Sequence, residues 1–453
     1  MPDIIAAVST SRQMGAIGIL RLSGEGCAQA ADQVFSTCSG TCIGDLPNRK
    51  LCLGTLRDKQ GRMIDQAMVV YSRAPNTYTG EDTVEFHCHG SPAVLAAGLE
   101  ALFAAGCRQA GPGEFTKRAF YNGRMDLTQA EAVIDLIESE TADAAANAAM
   151  QVGGALRARI DAVYDRMVDI CSHFQAVVDY PDEEIPEFRL QSFLTSLEEI
   201  IAQLSEMLRS FERGKLLKNG VRAAILGRPN VGKSSLLNAL AGYERAIVTD
   251  IAGTTRDTVE ETVRFGGTLL RLIDTAGIRD TEDTIEAMGV ERSELAAKDA
   301  DLVLFVCDGS QPLNAEDERA IRDAMTAKHK IGLINKSDLA QCFSAKDLPF
   351  EHIIEISAKD GSGLDVLEAQ IASMYQDGLC CDGSILTNVR QADAVSRALE
   401  AASAARDALQ SGLTPDAVLM DVESCMACLG EMTGKTVRED ITNRIFERFC
   451  VGK

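Results

Sequence analysis

Residues 223–235, AAILGRPNVGKSS, limit the fold of this chain more than any other stretch. An apolar strand-like run, Ala223 to Leu226, empties into Gly227-Arg228-Pro229-Asn230-Val231-Gly232-Lys233-Ser234, which satisfies G-x-x-x-x-G-K-[ST], and a helical pattern, SLLNALAG, follows. Strand, glycine loop and helix in that order form a polyphosphate cradle. Glycines let backbone N–H groups approach the phosphates, the helix N-terminus adds a favourable dipole, Lys233 reaches the outer phosphates and Ser234 ligates Mg²⁺. A glycine turn in an unrelated α/β domain can produce the same eight letters, so the downstream partners decide.

Those partners come in order. Asp274-Thr275-Ala276-Gly277 closes an apolar strand pattern, Thr268 to Ile273, and predicts a carboxylate beside the Mg²⁺ with a glycine amide near the terminal phosphate. Asn335-Lys336-Ser337-Asp338 ends another apolar run; an aspartate there takes two hydrogen bonds from N1–H and the exocyclic amine of guanine, which adenine cannot offer. Ser357-Ala358-Lys359 adds a backbone contact to the base oxygen, and Thr255 of Gly253-Thr254-Thr255 completes the Mg²⁺ shell. The expected GTP contacts are Asn230, Val231, Gly232, Lys233, Ser234 and Ser235; Thr249, Asp250, Ile251, Ala252, Gly253, Thr254 and Thr255; Asp274, Thr275, Ala276 and Gly277; Asn335, Lys336 and Asp338; Ser357, Ala358 and Lys359. Residues 216–379 therefore read as a Ras-like P-loop GTPase domain, a mostly parallel sheet with flanking helices.

The usual water-orienting glutamine after D-x-x-G is replaced by Ile278, and no arginine finger is evident. Glu286 is the leading carboxylate for positioning water, with Asp280, Glu282 and Asp283 as alternatives, although acids in such a stretch usually serve only to solvate a loop. Asn230 with the Thr249–Thr255 loop could hold a monovalent cation against the phosphates and supply the missing positive charge.

The 453 residues allow about three domains at roughly 150 residues each. A formal charge of −22 opposes broad non-specific RNA binding, so an RNA partner has to be met by a local basic patch or through another protein. No secretory leader and no spanning apolar run of about 18 residues is present, which predicts a cytoplasmic chain with no membrane partner. The 14 cysteines read as reduced thiols, mostly small core residues. His87-Cys88-His89 and Cys425-x-x-Cys428 invite a metal reading, but strand alternation splits the first and the second lacks another clear pair.

Residues 1–118 read as a mixed α/β domain with strands at Ile4–Val8, Ala16–Leu22, Leu51–Leu56, Ala67–Tyr71 and Thr83–His87 and helices at Cys27–Phe35 and Pro92–Ala105. Arg21, Glu81, Glu85 and Glu114 are polar residues at strand ends, a position where solvated or salt-bridged side chains are common. Residues 119–215 turn helical behind a Thr128-x-x-Glu131 capping box, with long patterns at Ala155–Val178 and Leu190–Phe211 and a basic linker from Gly214 to Gly220. Helix returns over 380–453, at Ala392–Leu409, after Thr414-Pro415 and over Val437–Phe449. Two helical blocks around the nucleotide domain predict one discontinuous helical domain with the GTPase domain inserted. Cys450 is either an unremarked residue at a frayed end or a thiol held near a site, beside Arg448 and Lys453.

With these motifs placed, the chain closely resembles the MnmE (TrmE) family, GTPases of tRNA wobble-uridine modification. The match runs through DIIAAVST, GAIGILRLSG, YTGEDTVEFHCHG, GPGEFTKRAFYNGRMDLTQAEA, DYPDEEIP, GRPNVGKSSLLNAL, IVTDIAGTTRD, DTAGIRD, NKSD and the terminal Cys-x-Gly-Lys. The resemblance implies a homodimer formed through a folate-binding N-terminal domain, and a partner, MnmG, carrying FAD for NADH-dependent chemistry. It implies an aminomethyl or carboxymethylaminomethyl group placed on uridine carbon 5, with 5-formyl- or methylene-tetrahydrofolate as the one-carbon source. It further implies folate contacts from Arg21, Glu85, Arg124 and Lys453, a functional Cys450, K⁺ at Asn230, Thr249, Ile251 and Thr254, Mg²⁺ at Ser234 and Thr255, and Glu286 as the water-positioning acid. Arg124 stands where some members have lysine, and SRQMGA at 11–16 lacks the proline and extra glycines usual there.

A reading from another class is a regulatory GTP switch, for example in ribosome assembly, without modification chemistry. It predicts no folate affinity and a dispensable Cys450. A metal-dependent folate enzyme with a vestigial GTP domain is disfavoured by the intact nucleotide motifs.

Overall fold

The structure is a computed structural model, and it describes residues 3–11, 13–179, 187–243, 261–273, 297–376, 382–435, 442, 445–447 and 449–452. The chain forms two compact units, Met1–Ile134 with Ala149–Ile201 and Ala394–Lys453, and Asp135–Ala148 with Ala202–Asp393.

The first unit opens with a seven-stranded sheet in the order β3-β4-β5-β6-β2-β1-β7. Its strands are β1 (Ile5–Val8), β2 (Ile17–Ser23), β3 (Phe35–Thr37), β4 (Cys52–Arg57), β5 (Met63–Ser72), β6 (Thr83–His89) and β7 (Arg108–Gln109). Helices α1 (Cys27–Asp32) and α2 (Pro92–Ala104) pack on it, and Leu20, Leu22, Leu56, Val69, Val84, Phe86, Leu95 and Leu102 fill the core between. Alternation of apolar and polar positions in β2 and β6 puts Leu20, Leu22, Val84 and Phe86 inside and Arg21 and Glu85 on the other face. The helix expected over Cys27–Phe35 stops at Asp32, because Phe35 starts an edge strand against Leu56 and sets its ring 5.2 Å from Phe86.

Helices α3 (Glu114–Tyr121), α4 (Leu127–Glu138), α5 (Ala142–Val152), α6 (Ala155–Asp179) and α7 (Glu187–Asn219) follow. The capping box lies two residues earlier than Thr128-x-x-Glu131. Gln129 N donates to Asp126 Oδ1 at 2.8 Å and Asp126 N donates to Gln129 Oε1 at 3.0 Å, so Asp126 is the cap and the Thr128 hydroxyl merely donates to it at 2.7 Å. Of the expected linker at Gly214–Gly220, all but Gly220 is instead the end of α7, which continues to Asn219.

The second unit contains a six-stranded sheet, order β13-β12-β11-β8-β10-β9, built from β8 (Val221–Leu226), β9 (Glu261–Phe265), β10 (Thr268–Ile273), β11 (Leu302–Asp308), β12 (His329–Asn335) and β13 (Ile353–Glu355). All pairings are parallel except β9 with β10. Every residue of β11 is buried, as expected for a central parallel strand covered on both faces. Helices α8 (Lys233–Tyr243), α9 (Ala315–Met325) and α10 (Leu364–Gln376) accompany it.

The last two helices are α11 (Val389–Gln410) and α12 (Pro415–Thr433). In the first unit α12 packs along α6, where Leu156, Ile160, Val163, Met167, Ile170 and Phe174 recur at alternating four- and three-residue steps against Val418, Val422, Cys425, Leu429 and Met432. That spacing is the seam of paired helices. No helix among the described residues is long and apolar enough to cross a membrane.

Candidate functional site

In the second unit the carboxyl ends of β8, β11 and β12 meet where an open parallel sheet binds its ligand. Strand β8 runs into the loop 227–232, with α8 starting at Lys233. Gly232 has φ +101, a left-handed conformation, and any Cβ there would overlap Asn335 Nδ2. Asn230 is also left-handed, with φ 64. Lys233 Nζ donates to the carbonyls of Gly227 at 2.6 Å and Arg228 at 2.8 Å, which holds the ammonium at the loop; burial pushes its pKa down. Ser234 and Ser235 are exposed on the first turn of α8.

The guanine-type motif is joined to this loop by side chains. Asn335, 3% exposed, donates from Nδ2 to Val231 O at 2.7 Å and accepts at Oδ1 from Ala358 N at 3.0 Å, so one amide ties the phosphate loop to the 357–359 loop. Lys336, at φ 64, donates from Nζ to Asp308 Oδ2 at 2.6 Å and to Asn230 O at 3.3 Å. Asp338 is exposed and accepts from Ser357 Oγ at 3.0 Å, while Lys359 is exposed beyond it. Val231, Gly232, Lys233, Asn335, Lys336, Asp338, Ser357 and Ala358 are thus brought together, with different tasks: Asn335 and Lys336 hold the backbone, and Asp338 faces outward as a base reader would. The cradle suits a nucleoside polyphosphate, since left-handed backbone, a half-buried amine and a helix N-terminus converge on one loop.

Asp308 was missed by motif reasoning. Burial would raise its carboxyl, but Lys336 and two bonds from Ser310 hold it below the ordinary carboxylate value. The available signal was an acid closing an otherwise apolar run, LVLFVCD. Thr249–Thr255, Asp274–Gly277 and Glu286 lie outside the described residues, as does Lys453.

In the first unit Arg21 and Glu85 face each other across β2 and β6, with Arg21 Nε donating to Glu85 Oε1 at 2.7 Å. The Arg21 guanidinium lies 5.9 Å from the Tyr78 ring centroid and 5.7 Å from that of Phe115. His87 Nε2 stands 3.5 Å from Glu85 Oε2 without hydrogen-bond geometry. The exposed Tyr78 ring and the buried Phe115 ring behind the guanidinium also escaped the sequence reading. Arg124 reaches a different partner, donating from Nε to Thr77 O at 3.1 Å. The tail docks beside this group: Val451 bridges Pro112 and packs on Ile5, Ala7, Ala110 and Phe115, Cys450 O accepts from Gly113 N at 3.3 Å, and Ser9 Oγ donates to Gly452 O at 3.0 Å. Cys450 itself is exposed. Of the other cluster, Cys88 is a core residue and His89 Nδ1 pairs with Asp65 Oδ1 at 2.8 Å.

Two family descriptions cover nearly all of this architecture. "GTP-binding protein TrmE N-terminus" matches residues 4–124, and "MnmE helical domain" matches residues 127–450. The chain belongs to the MnmE family. Curated relatives named tRNA modification GTPase MnmE align over 100% of it: that of Heliobacterium modesticaldum is 43% identical, covering 99% of the relative. Those of Clostridioides difficile and Aquifex aeolicus are 41% and 39% identical, covering 99% and 100% of the relative. Like other MnmE proteins, this chain is a GTPase acting in tRNA modification. The phosphate and base loops lie in the second unit, and the Arg21–Glu85 pair with its docked tail lies in the first.

Proposed function

We propose that this MnmE protein is a K⁺-stimulated GTPase that, with an FAD-containing MnmG partner, places an aminomethyl or carboxymethylaminomethyl group on carbon 5 of the tRNA wobble uridine. The observation that carries the reading is the Asn335 amide, which makes the phosphate loop and base loop one rigid receptor for a guanine nucleotide. When bound, Mg²⁺ and K⁺ supply positive charge to the phosphates, and a tetrahydrofolate derivative supplies the one-carbon unit. Ser234 and Thr255 would hold the first ion, and Asn230, Thr249, Ile251 and Thr254 the second. Asn230 suits that task because its left-handed backbone is pinned by Lys336. Glu286 positions the attacking water, and Asp338 reads guanine.

Arg21, Glu85, Arg124 and Lys453 hold the folate, with Cys450 presented by the docked tail. The Arg21–Glu85 pair beside the exposed Tyr78 ring, with the buried Phe115 ring backing the guanidinium, supports this, since a flat heterocycle with polar edges needs an aromatic face and charged partners. Residues 1–118 form the folate and dimer domain, and 119–215 with 380–453 form one helical domain into which the GTPase domain 216–379 is inserted. Support comes from the discontinuous make-up of the first unit. The homodimer is supported by exposed Ile17, Leu53 and Met68 on the open face of the first sheet, where Leu53 and Met68 pair across strands. The working location is the cytoplasm.

The deciding experiment is GTP hydrolysis in matched KCl and NaCl, with Asn230→Ala and Glu286→Ala alongside. Stimulation by K⁺ of about tenfold or more, lost in both variants, is expected; equal rates in the two salts would discard the cation-assisted mechanism. Separately, Arg21→Ala should weaken 5-formyltetrahydrofolate binding about 10- to 100-fold, the worth of one charged hydrogen bond of roughly 1.5–3 kcal/mol. Unchanged titration curves would remove Arg21 from the folate site.

A further inference from the structure

A cavity in the first unit, ≈ 640 Å³, is lined by the end of α3, the turn 122–126, the start of α6 and the end of α12. We propose that it receives one unpaired uracil nucleotide of the RNA substrate, a reading that rests on the wobble-uridine function above. Neither Arg21, Glu85 nor Cys450 lines it.

The deciding group is Asp126, 7% exposed in the cavity wall. Its Oδ1 already accepts from Thr128 Oγ1 and Gln129 N, whereas Oδ2 is buried with no hydrogen-bond partner. Arg157 Nε, from the same wall, lies 3.7 Å from that oxygen, an ion-pair separation too long for a hydrogen bond. An unsatisfied buried acceptor costs about 1–3 kcal/mol, so the wall is built for a donor from outside. Burial pushes the Asp126 carboxyl above its ordinary value, as expected for an oxygen short of donors.

The occupied Oδ1 selects among ligands. Pterin and guanine offer a carboxylate two adjacent donors, an imide N–H and an amine, and need both oxygens. Uracil offers one N–H between two carbonyls, so Oδ2 takes N3–H and the neighbouring Arg157, whose Nε donates to Asp161 Oδ2 at 3.3 Å, offers a terminal N–H₂ group to a flanking carbonyl. Phe120, Tyr121 and Met125 supply apolar and aromatic surface for the ring, and base–aromatic stacking is worth about 1–3 kcal/mol. Lys435 stands at the rim, 4.5 Å from the Tyr164 centroid and 3.4 Å from Asp161 Oδ1. It is half exposed in an ion pair of small worth, and is therefore available to a backbone phosphate. Gly123 and Met125 face this cavity while Arg124 between them reaches Thr77, so one turn separates the base from the proposed folate contact.

The test is binding of fluorescein-labelled anticodon stem–loop RNAs carrying uridine or cytidine at the wobble position to the full chain and to Asp126→Asn. Asparagine keeps the helix cap but puts an N–H₂ donor where Oδ2 stood. Affinity for the uridine loop should fall at least tenfold while the cytidine loop, with its N3 acceptor, loses less. Equal weakening of both loops, or an unchanged uridine loop, overturns the proposal. Wild-type chain with a 4-thiouridine loop gives a readout free of folding effects: cross-links at Phe120 or Tyr121 are expected, and cross-links only elsewhere overturn it. If the wild type with MnmG, GTP and folate leaves the wobble uridine unmodified, the functional reading fails. If wild type and Asp126→Asn modify it at the same kcat/KM, the pocket alone fails.

Discussion

Replacing Asn335 by alanine should lower guanine-nucleotide affinity by about two orders of magnitude or more. Both ends of the side-chain amide are bonded to backbone groups, and its cost is counted there. Val231 O and Ala358 N would each lose a partner inside the protein, at roughly 1–3 kcal/mol apiece. Even 3 kcal/mol passed on to binding is about a hundredfold. The second unit has a separate, extensive core, so the variant should remain folded with a lowered melting temperature. Asn335→Asp sharpens the test because it keeps an acceptor for Ala358 N but turns an oxygen toward Val231 O. It should bind as poorly as alanine. Fluorescent-GDP titration with circular dichroism checks both, and affinity within threefold of wild type for either would refute the clamp.

Gly452→Ala should have the opposite signature, loss of tRNA modification with GTP hydrolysis almost unaltered. Gly452 has φ +104, and an added Cβ would run into the backbone carbonyl of Val8. Left-handed backbone costs a non-glycine residue about 1–2 kcal/mol before that clash is counted. The neighbouring attachments are few, one hydroxyl bond from Ser9, one amide bond from Gly113 and the Val451 contact, so a penalty near 3 kcal/mol would shift the docking equilibrium roughly a hundredfold toward the undocked tail. Modification should drop about tenfold or more in a reconstituted assay with MnmG. Protease sensitivity of the last residues reports undocking directly. A variant that modifies tRNA normally while its tail is cleaved would show that Cys450 has no positional role.

The two sites were unequally legible in the sequence. Phosphate and base loops are read by consecutive backbone groups, so their requirements are written as contiguous strings such as GRPNVGKSS and NKSD. Asp308, Tyr78 and Phe115 come from separate segments, and only the paired sheets and docked tail bring them to Lys336 and Arg21. Strand alternation gave β2 and β6 to within two residues, yet β3 and β7, of three and two residues, are too short to show a period. Helix ends failed for a different reason. Asp126, Thr128, Gln129 and Glu131 all carry capping chemistry, and the fold chooses among them by burying Leu127 and Ala130, which fixes where the first turn begins.

The clamp also divides the tetrapeptide Asn335-Lys336-Ser337-Asp338 by how freely evolution or an engineer can rewrite it. Asp338 is exposed and accepts from the Ser357 hydroxyl, with no bond to the phosphate loop among the described residues, so its letter can change and alter which base is welcomed while leaving the Asn335 and Lys336 ties in place. Asn335 and Lys336 are riveted to the loop that holds the phosphates. Base preference is thus an exchangeable label on this receptor, while the grip beneath it is inherited whole or lost.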